Sequence, residues 1–326
     1  MNDKLSTDVT NRALGVLVGS ATGDALGAAY EFNRVLPPDF IPEMLGGGLM
    51  PSRRPGGWTD DTAMANCLGL ALAHSNDLNF QDEVARQFHR WFFSHPEDMG
   101  LQTRSVISRA SLEDTIDAQS FRAASKAHHQ EIGRSGGNGA LMRIAPVGIA
   151  ALGAHRDTTA KLAKDSSKLT HWDDDSAFAC SLWATAIQQV VLTGELPDFY
   201  WLTREQPYDD EIIMRWLHLV DEALKKPPAA FDDNGYVVRT LQACLSVLSC
   251  LPQGLPPQDY FREGLYHVIR IGDDTDTTAA VLGGILGAKV GLSFIPEEWK
   301  TILHGWPNWT GHDLEELALK ILSAQN

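Results

Sequence analysis

The chain has 326 residues, 44% of them hydrophobic, with 42 acidic against 27 basic side chains and a formal charge of −15. That length and apolar share allow one large core. The acidic excess argues against a sequence-independent nucleic-acid surface, which needs a clustered basic face.

The opening MNDKLSTDVTN is polar, with no apolar stretch of the signal-peptide kind, and residues 1–9 are expected to form a flexible tail. Helical periodicity dominates from residue 11. In 11–32, Gly15, Gly19, Gly23 and Gly27 fall four apart on one helical face. Glycine costs about 1 kcal/mol per helical position relative to alanine, so such a stripe points to close approach of another element. Further helices are expected at 61–75, 79–94, 103–116, 118–131, 156–168, 175–193, 209–224, 236–250, 258–269, 277–291 and 313–325. Gly283, Gly287 and Gly291 make a second stripe that could pack on the first. Gly/Pro-rich loops are expected at 37–58, 134–139, 196–209, 225–235 and 251–259. The longest apolar run, 140–154, contains Arg143 and Pro146 and falls short of the about 20 residues a bilayer needs. Strand alternation is scarce, and there is no internal repeat or low-complexity linker. The expected fold is all-α, a single domain over residues 1–326. Cys67, Cys180, Cys244 and Cys250 have no C-x-x-C spacing and fit a reduced, cytoplasmic protein, with Cys244 and Cys250 in a helix core.

Two acidic helix starts stand far apart: WTDDTAMA at 58–65 and GDDTDTTA from residue 272. Asp and Thr there suit helix capping and the helix dipole. Capping needs one oxygen, however, and crowded carboxylates repel one another unless a cation intervenes. Hard divalent cations take several oxygen ligands. An EF-hand starting at Asp273 would put Thr278 and Gly284 where Gly and Glu are required. No Cys/His spacing suits zinc. Magnesium or manganese is the cation these residues favour. Asp24 and Glu31 are further acids in the first helical stretch, and Glu31 is a candidate ligand or general acid/base. The third run, Asp173–Asp174–Asp175, reads as a solvated cap.

Five segments in order, GDALGAAYEF (23–32), WTDDTAMA (58–65), GNGALMRIAPVGI (137–149), LTH (169–171) and GDDTDTTAAVLGGILGA (272–288), resemble the ADP-ribosylglycohydrolase family nearly end to end. The resemblance implies an orthogonal multi-helix bundle around a central binuclear cleft holding two Mg2+ or Mn2+ ions. It implies Thr59, Asp60, Asp61, Asp274, Asp276 and Thr277 as metal ligands, and Glu31 with Asp61 as the catalytic carboxylates, base and acid unassigned. Ser135, Gly136, Gly137, Asn138, Gly139 and Met142 match the family loop around the diphosphate and distal ADP-ribose. Exposed N–H groups of a Gly-rich turn suit an anion. His171 matches a histidine near the ligand. Asp273 departs from the family pattern, where glycine is more usual.

The implied reaction is metal-dependent hydrolysis of the ADP-ribosyl C1″ linkage on a modified protein, with a cognate ADP-ribosyltransferase as a possible partner. Asp98 in HPEDMGLQT (95–103) matches an element of the arginine-directed branch, where a carboxylate can face a guanidinium. Serine-linked and small-molecule conjugates are the alternatives, as are a non-catalytic ADP-ribose binder of the same fold and a metal-dependent phosphoesterase.

Overall fold

The computed structural model describes residues 6–33, 35–74 and 80–324. Ser6 caps the first helix by accepting from the Val9 amide, so α1 runs Thr7–Gly27 and residues 7–9, expected in a tail, are helical. A 3-10 turn at Ala28–Tyr30 follows. Then come α2 (Asp60–His74), α3 (Gln81–Phe92), α4 (Leu101–Ala110), α5 (Ala118–Ile132) and α6 (Ala145–Ala150). The chain continues with α7 (Arg156–Ser167), α8 (Asp174–Thr193), α9 (Phe199–Arg204), α10 (Asp210–Lys225) and α11 (Val237–Cys250). It ends with α12 (Pro257–Ile269), α13 (Thr275–Val290), α14 (Glu297–Lys300), an antiparallel pair β1 (His304–Gly305) and β2 (Trp309–Thr310), and α15 (Gly311–Ser323).

The fold is therefore all-α apart from that two-residue ladder. The structure adds α6, α9 and α14, short helices that a periodicity search passes over. It also ends α4 at Ala110 rather than 116, because Ser111 folds its hydroxyl back onto the Ile107 carbonyl and Asp117 then opens α5 with a capping box. Residues 75, 79 and 325, at the expected ends of three helices, lie outside the described residues.

The core is built on α1 and α13. A Cβ on Gly19 would lie 2.4 Å from the Gly283 carbonyl oxygen, and one on Gly287 would lie 1.9 Å from that of Gly15. The two backbones thus touch, and glycine is required there for lack of a side chain. Gly291 does not share this role: it ends α13 at φ 81° against Asn11. Around the pair one hydrophobic cluster extends from Ala13 to Leu322. Helix α8 passes through the interior with Phe178, Leu182, Trp183 and Ile187 buried, and it is long and apolar enough to cross a membrane by composition alone. Cys67, Cys180 and Cys244 are buried and free, whereas Cys250, expected in the core, is exposed at the last position of α11.

Candidate active site

The contact of α1 with α13 brings both acidic helix starts to one end of the bundle. Asp24, fully buried on α1, accepts from the Thr59 amide at 3.0 Å, the Thr62 amide at 3.0 Å and the Thr62 hydroxyl at 2.6 Å. It caps α2 from another helix, so Asp60 and Asp61 are not consumed as caps. Asp274 precedes α13 without a side-chain capping bond. The cap of α2 is thus supplied by Asp24 and by the Thr59 hydroxyl, which accepts from the Asp61 amide at 3.2 Å, while Asp60 Oδ2 accepts from the Gly100 amide at 3.1 Å.

Those carboxylates converge. Ligand atoms of Glu31, Asp274 and Asp276 lie within 4.8 Å of one another, as do those of Asp24, Asp61 and Asp276. Asp61 Oδ2 accepts from the Thr59 hydroxyl at 2.8 Å and the Thr277 hydroxyl at 3.5 Å, while Asp61 Oδ1 and Glu31 Oε2 are buried with no hydrogen-bond partner among the described residues. Burial, reinforced by mutual repulsion, pushes Asp60 up to about 7 and Glu31 up to about 8, and raises Asp61 and Asp276 well above the usual carboxylate range. Orphaned carboxylate oxygens beside two threonine hydroxyls are a hard, all-oxygen donor set, which fits a divalent cation such as Mg2+ or Mn2+. Asp24 belongs less to that set than to its frame, since both its oxygens already accept N–H or O–H donors.

The frame has a second hub that sequence reasoning missed. Asn234, wholly buried, accepts from the Asp274 amide at 2.8 Å through Oδ1 and donates to the Gly272 carbonyl at 3.0 Å. Its own amide donates to Asp273 Oδ2 at 3.2 Å, and its carbonyl accepts from Asn138 Nδ2, which also donates to Asp274 Oδ2 at 2.8 Å. Asp273 therefore anchors a turn at φ 60°, and its backbone bridges Asn33 just past Glu31. The 225–235 loop thus belongs to the site. Its Asn-Gly pair signalled a turn and nothing more.

Opposite the acids lies the Gly-rich loop. The carbonyls of Ser135, Gly136, Gly137 and Gly139 accept from Gln102, the Val237 amide, Ser176 and Arg143, and the Ser135 hydroxyl meets His129 Nδ1 at 2.6 Å. The Tyr236 ring backs Gly136, where a Cβ would come within 2.7 Å of it. Tyr236 in turn bonds Asp175, which also pairs with Arg215, so Asp175 is more than the solvated cap expected of it. Arg143 is buried and, among the described residues, forms no ion pair. It donates to the Gly139 carbonyl and, at 2.6 Å, to Thr170 Oγ1, and lies over the Phe88 ring. Thr170 Oγ1 is 2.8 Å from His171 Nδ1. With Arg143 as its donor, the hydroxyl has its own proton to offer Nδ1, an arrangement that puts the imidazole proton on Nε2, the ring nitrogen nearest Gly137 and Gly139. Burial and the nearby Arg143 hold His171 well below its usual pKa, so the ring is neutral.

A cavity of about 430 Å³ joins these parts, lined by Glu31, Asp60, Asp61, Asp98, Asp274, Asp276 and Thr277 on one side and Gly137, Asn138, Gly139, Met142 and His171 on the other. That size is typical of small-molecule sites. Thr59, Ser135 and Gly136 stand behind this lining rather than in it. Asp98 is present but engaged: Arg53 donates to its Oδ2 at 2.7 Å.

The model of the family described as ADP-ribosylglycohydrolase matches residues 5–326. The chain belongs to the ADP-ribosylglycohydrolase family. It is 29% identical to the ADP-ribosyl-[dinitrogen reductase] glycohydrolase of Rhodospirillum rubrum, over 89% of this chain and 90% of that protein. It is 28% identical to an ADP-ribosylarginine hydrolase of Serratia proteamaculans (strain 568), over 89% of this chain and 74% of that one. To ADP-ribosylhydrolase ARH3 of Homo sapiens it is 24% identical over 91% and 90% of the two chains. A solved structure titled "ADP-ribosylglycohydrolase-related protein complex" superposes with a TM-score of 0.75 at 28% identity, over 98% of this chain and all of that one.

Proposed function

We propose that the protein hydrolyses the C1″ linkage of ADP-ribosyl conjugates, with ADP-ribosyl-arginine on a protein as substrate, two Mg2+ or Mn2+ ions as cofactors and an ADP-ribosyltransferase as the source of the modification. The observation that carries this reading is one cavity with unneutralised carboxylates on one wall and a Gly-rich loop with a neutral histidine on the other, in a chain of this family. The arginine preference draws on the similarity to an ADP-ribosylarginine hydrolase.

Asp60, Asp61, Asp274, Asp276, Thr59 and Thr277 would hold the cations. Bound there, divalent cations supply positive charge that orients the ribose hydroxyls and offsets charge as the C1″ bond breaks. The Gly-rich loop receives the diphosphate, and His171 donates through Nε2–H without adding charge. Hydrolysis adds water across the linkage: the water oxygen bonds to C1″ and keeps one of its protons as the new hydroxyl, and the departing nitrogen keeps the bonding pair and takes a proton. A carboxylate must accept the water's other proton. We assign that transfer to Glu31, whose buried Oε2 has no hydrogen-bond partner among the described residues, rather than to Asp61, which accepts from the Thr59 hydroxyl. Cations beside Glu31 would bring its raised pKa down toward that of a base at neutral pH.

The Arg53–Asp98 pair supports a second reading, an oxygen-linked conjugate such as ADP-ribosyl-serine, because Arg53 already occupies one oxygen of the expected guanidinium partner. Release of ADP-ribose from arginine-linked and serine-linked peptides separates the two, measured with Mg2+, with chelator and with Asp60→Ala. Metal-dependent release from arginine alone supports the first reading. Release from serine alone supports the second. Tight ADP-ribose binding without release from either would indicate a non-catalytic binder. Glu31→Gln is expected to lower kcat by roughly 10²–10⁴-fold, the range of a lost general acid or base, with ADP-ribose affinity retained.

A further inference from the structure

Asn234 does not line the acidic cavity, yet it grips the turn that carries part of it. From the loop between α10 and α11, 40 residues ahead of Asp274, its carboxamide reaches both sides of Asp273. Oδ1 accepts from the Asp274 amide at 2.8 Å, and Nδ2 donates to the Gly272 carbonyl at 3.0 Å and the Phe231 carbonyl at 3.4 Å. One planar side chain thus pairs with the 272–274 backbone as a neighbouring strand would, which takes a donor and an acceptor on the same group. The turn needs that support: Gly272 at φ 81° and Asp273 at φ 60° are consecutive left-handed residues, a conformation that a non-glycine residue seldom adopts. Asn234 is itself held in place. Its carbonyl accepts from the Thr240 hydroxyl at 2.6 Å and from Asn138 Nδ2 at 3.2 Å, and its amide donates to Asp273 Oδ2 at 3.2 Å.

Two carboxylates ride on this turn. Asp274 is part of it, with Oδ2 accepting from Asn138 Nδ2 at 2.8 Å and no described residue donating to Oδ1. On the other side, the Asp273 carbonyl accepts from the Phe32 amide at 2.6 Å and the Asp273 amide donates to the Asn33 carbonyl at 3.0 Å, which fixes the chain just past Glu31. We propose that Asn234 is a positioning residue: through the 272–274 turn it sets where Asp274 and Glu31 present their oxygens, and thereby the cation affinity of the cleft. The assignment rests on the cation reading above. Without the carboxamide, the Asp274 amide and the Gly272 carbonyl lose these partners, and repulsion among the acids favours a spread arrangement over a convergent one. A divalent cation binds best where several oxygens are already convergent, and groups that orient ligating carboxylates typically change affinity by roughly 10–100-fold.

The test is the Kd for Mn2+ alone, read from the paramagnetic resonance of free Mn2+, in the full-length chain and three variants. Asn234→Ala truncates the side chain, and Asn234→Leu keeps nearly its volume while removing both hydrogen-bonding groups. Ser246→Ala is the control: it cuts another tether of the same loop, the bond from the Ser246 hydroxyl to the Lys226 carbonyl at 2.6 Å, without touching the turn. All three should lower the Tm measured in chelator. The Kd should rise tenfold or more in both Asn234 variants and change less than twofold in Ser246→Ala. A folded Asn234 variant with a Kd within twofold of the unaltered protein overturns the assignment. So does an equal rise in Ser246→Ala, which would trace the effect to general loosening of the loop. Amide exchange on the unaltered protein gives a reading that needs no variant. Mn2+ should slow exchange in 231–236, a segment that holds no cation ligand, and an unchanged rate there overturns the assignment. Absence of Mn2+ binding to the unaltered protein overturns the cation reading and this assignment with it.

Discussion

Thr170 carries a single proton, and its two neighbours decide where that proton goes. Among the described residues Arg143 forms no ion pair and donates to neutral acceptors, the Gly139 carbonyl and Thr170 Oγ1 among them. A buried cation held only by neutral groups is costly, and its pKa is pushed down to about 10 by burial. It remains charged near neutral pH. Thr170→Val keeps the shape, removes one acceptor from Arg143 and frees His171 Nδ1. The expected cost is about 1–3 kcal/mol of stability, that of an unmade buried hydrogen bond. Nitrogen NMR of the His171 ring should show the Nε2–H tautomer in the unaltered protein and a mixture in the variant. ADP-ribose affinity should fall roughly fivefold, equivalent to about 1 kcal/mol. A pure Nε2–H tautomer in both proteins would show that Thr170 does not set it.

At the scale of elements, the α1–α13 contact is structural and functional at once, because α1 ends just before Glu31 and α13 starts among Asp274 and Asp276. Neighbouring glycines of α13 should respond oppositely to substitution. A Cβ on Gly283 would meet the Gly19 carbonyl oxygen at 2.3 Å, a backbone atom that cannot turn aside. Gly283→Ala should therefore cost about 3 kcal/mol and, by forcing the helices apart, weaken the thermal response to Mg2+. One residue on, a Cβ at Gly284 would lie 3.5 Å from Ala145 Cβ, ordinary contact distance. Gly284→Ala should be neutral or stabilise by up to about 1 kcal/mol through helix propensity. Denaturant midpoints for the two variants, with and without Mg2+, provide the comparison. Equal behaviour would mean that the stripe is tolerant and that the close approach does not position the acids.

For the whole molecule, the acid cluster links stability to pH and cations. Without cations, Asp60 and Glu31 have folded-state pKa values of about 7 and about 8, above their ordinary values. A carboxyl raised on folding binds more protons in the folded than in the unfolded state, so its contribution is full below the ordinary value and is lost as pH rises through the folded one. Between pH 6.5 and 8.5 the chelated protein should lose of order 2 kcal/mol. Mg2+ or Mn2+ should restore more at pH 8.5 than at 6.5, and Asp60→Asn should flatten the slope. A chelated protein with constant stability across that window would remove the picture of uncompensated acids. The helical class, the positions of the long helices, the glycine stripe of α1 and the two acidic helix starts on one side of the cavity were legible in the chain alone. Each of these signals is local: a period of 3.6, a missing side chain, a cluster within a few positions. What only the tertiary structure decided are partnerships across long stretches of chain. Asp24 caps α2 and so frees Asp60 and Asp61, Asn234 ties the turn before α13 to the Gly-rich loop, Arg53 sits on Asp98, and Cys250 faces out. A side chain's type limits what it can bond, but which group it meets is set by packing, and packing pairs residues whose separation in sequence carries no signal.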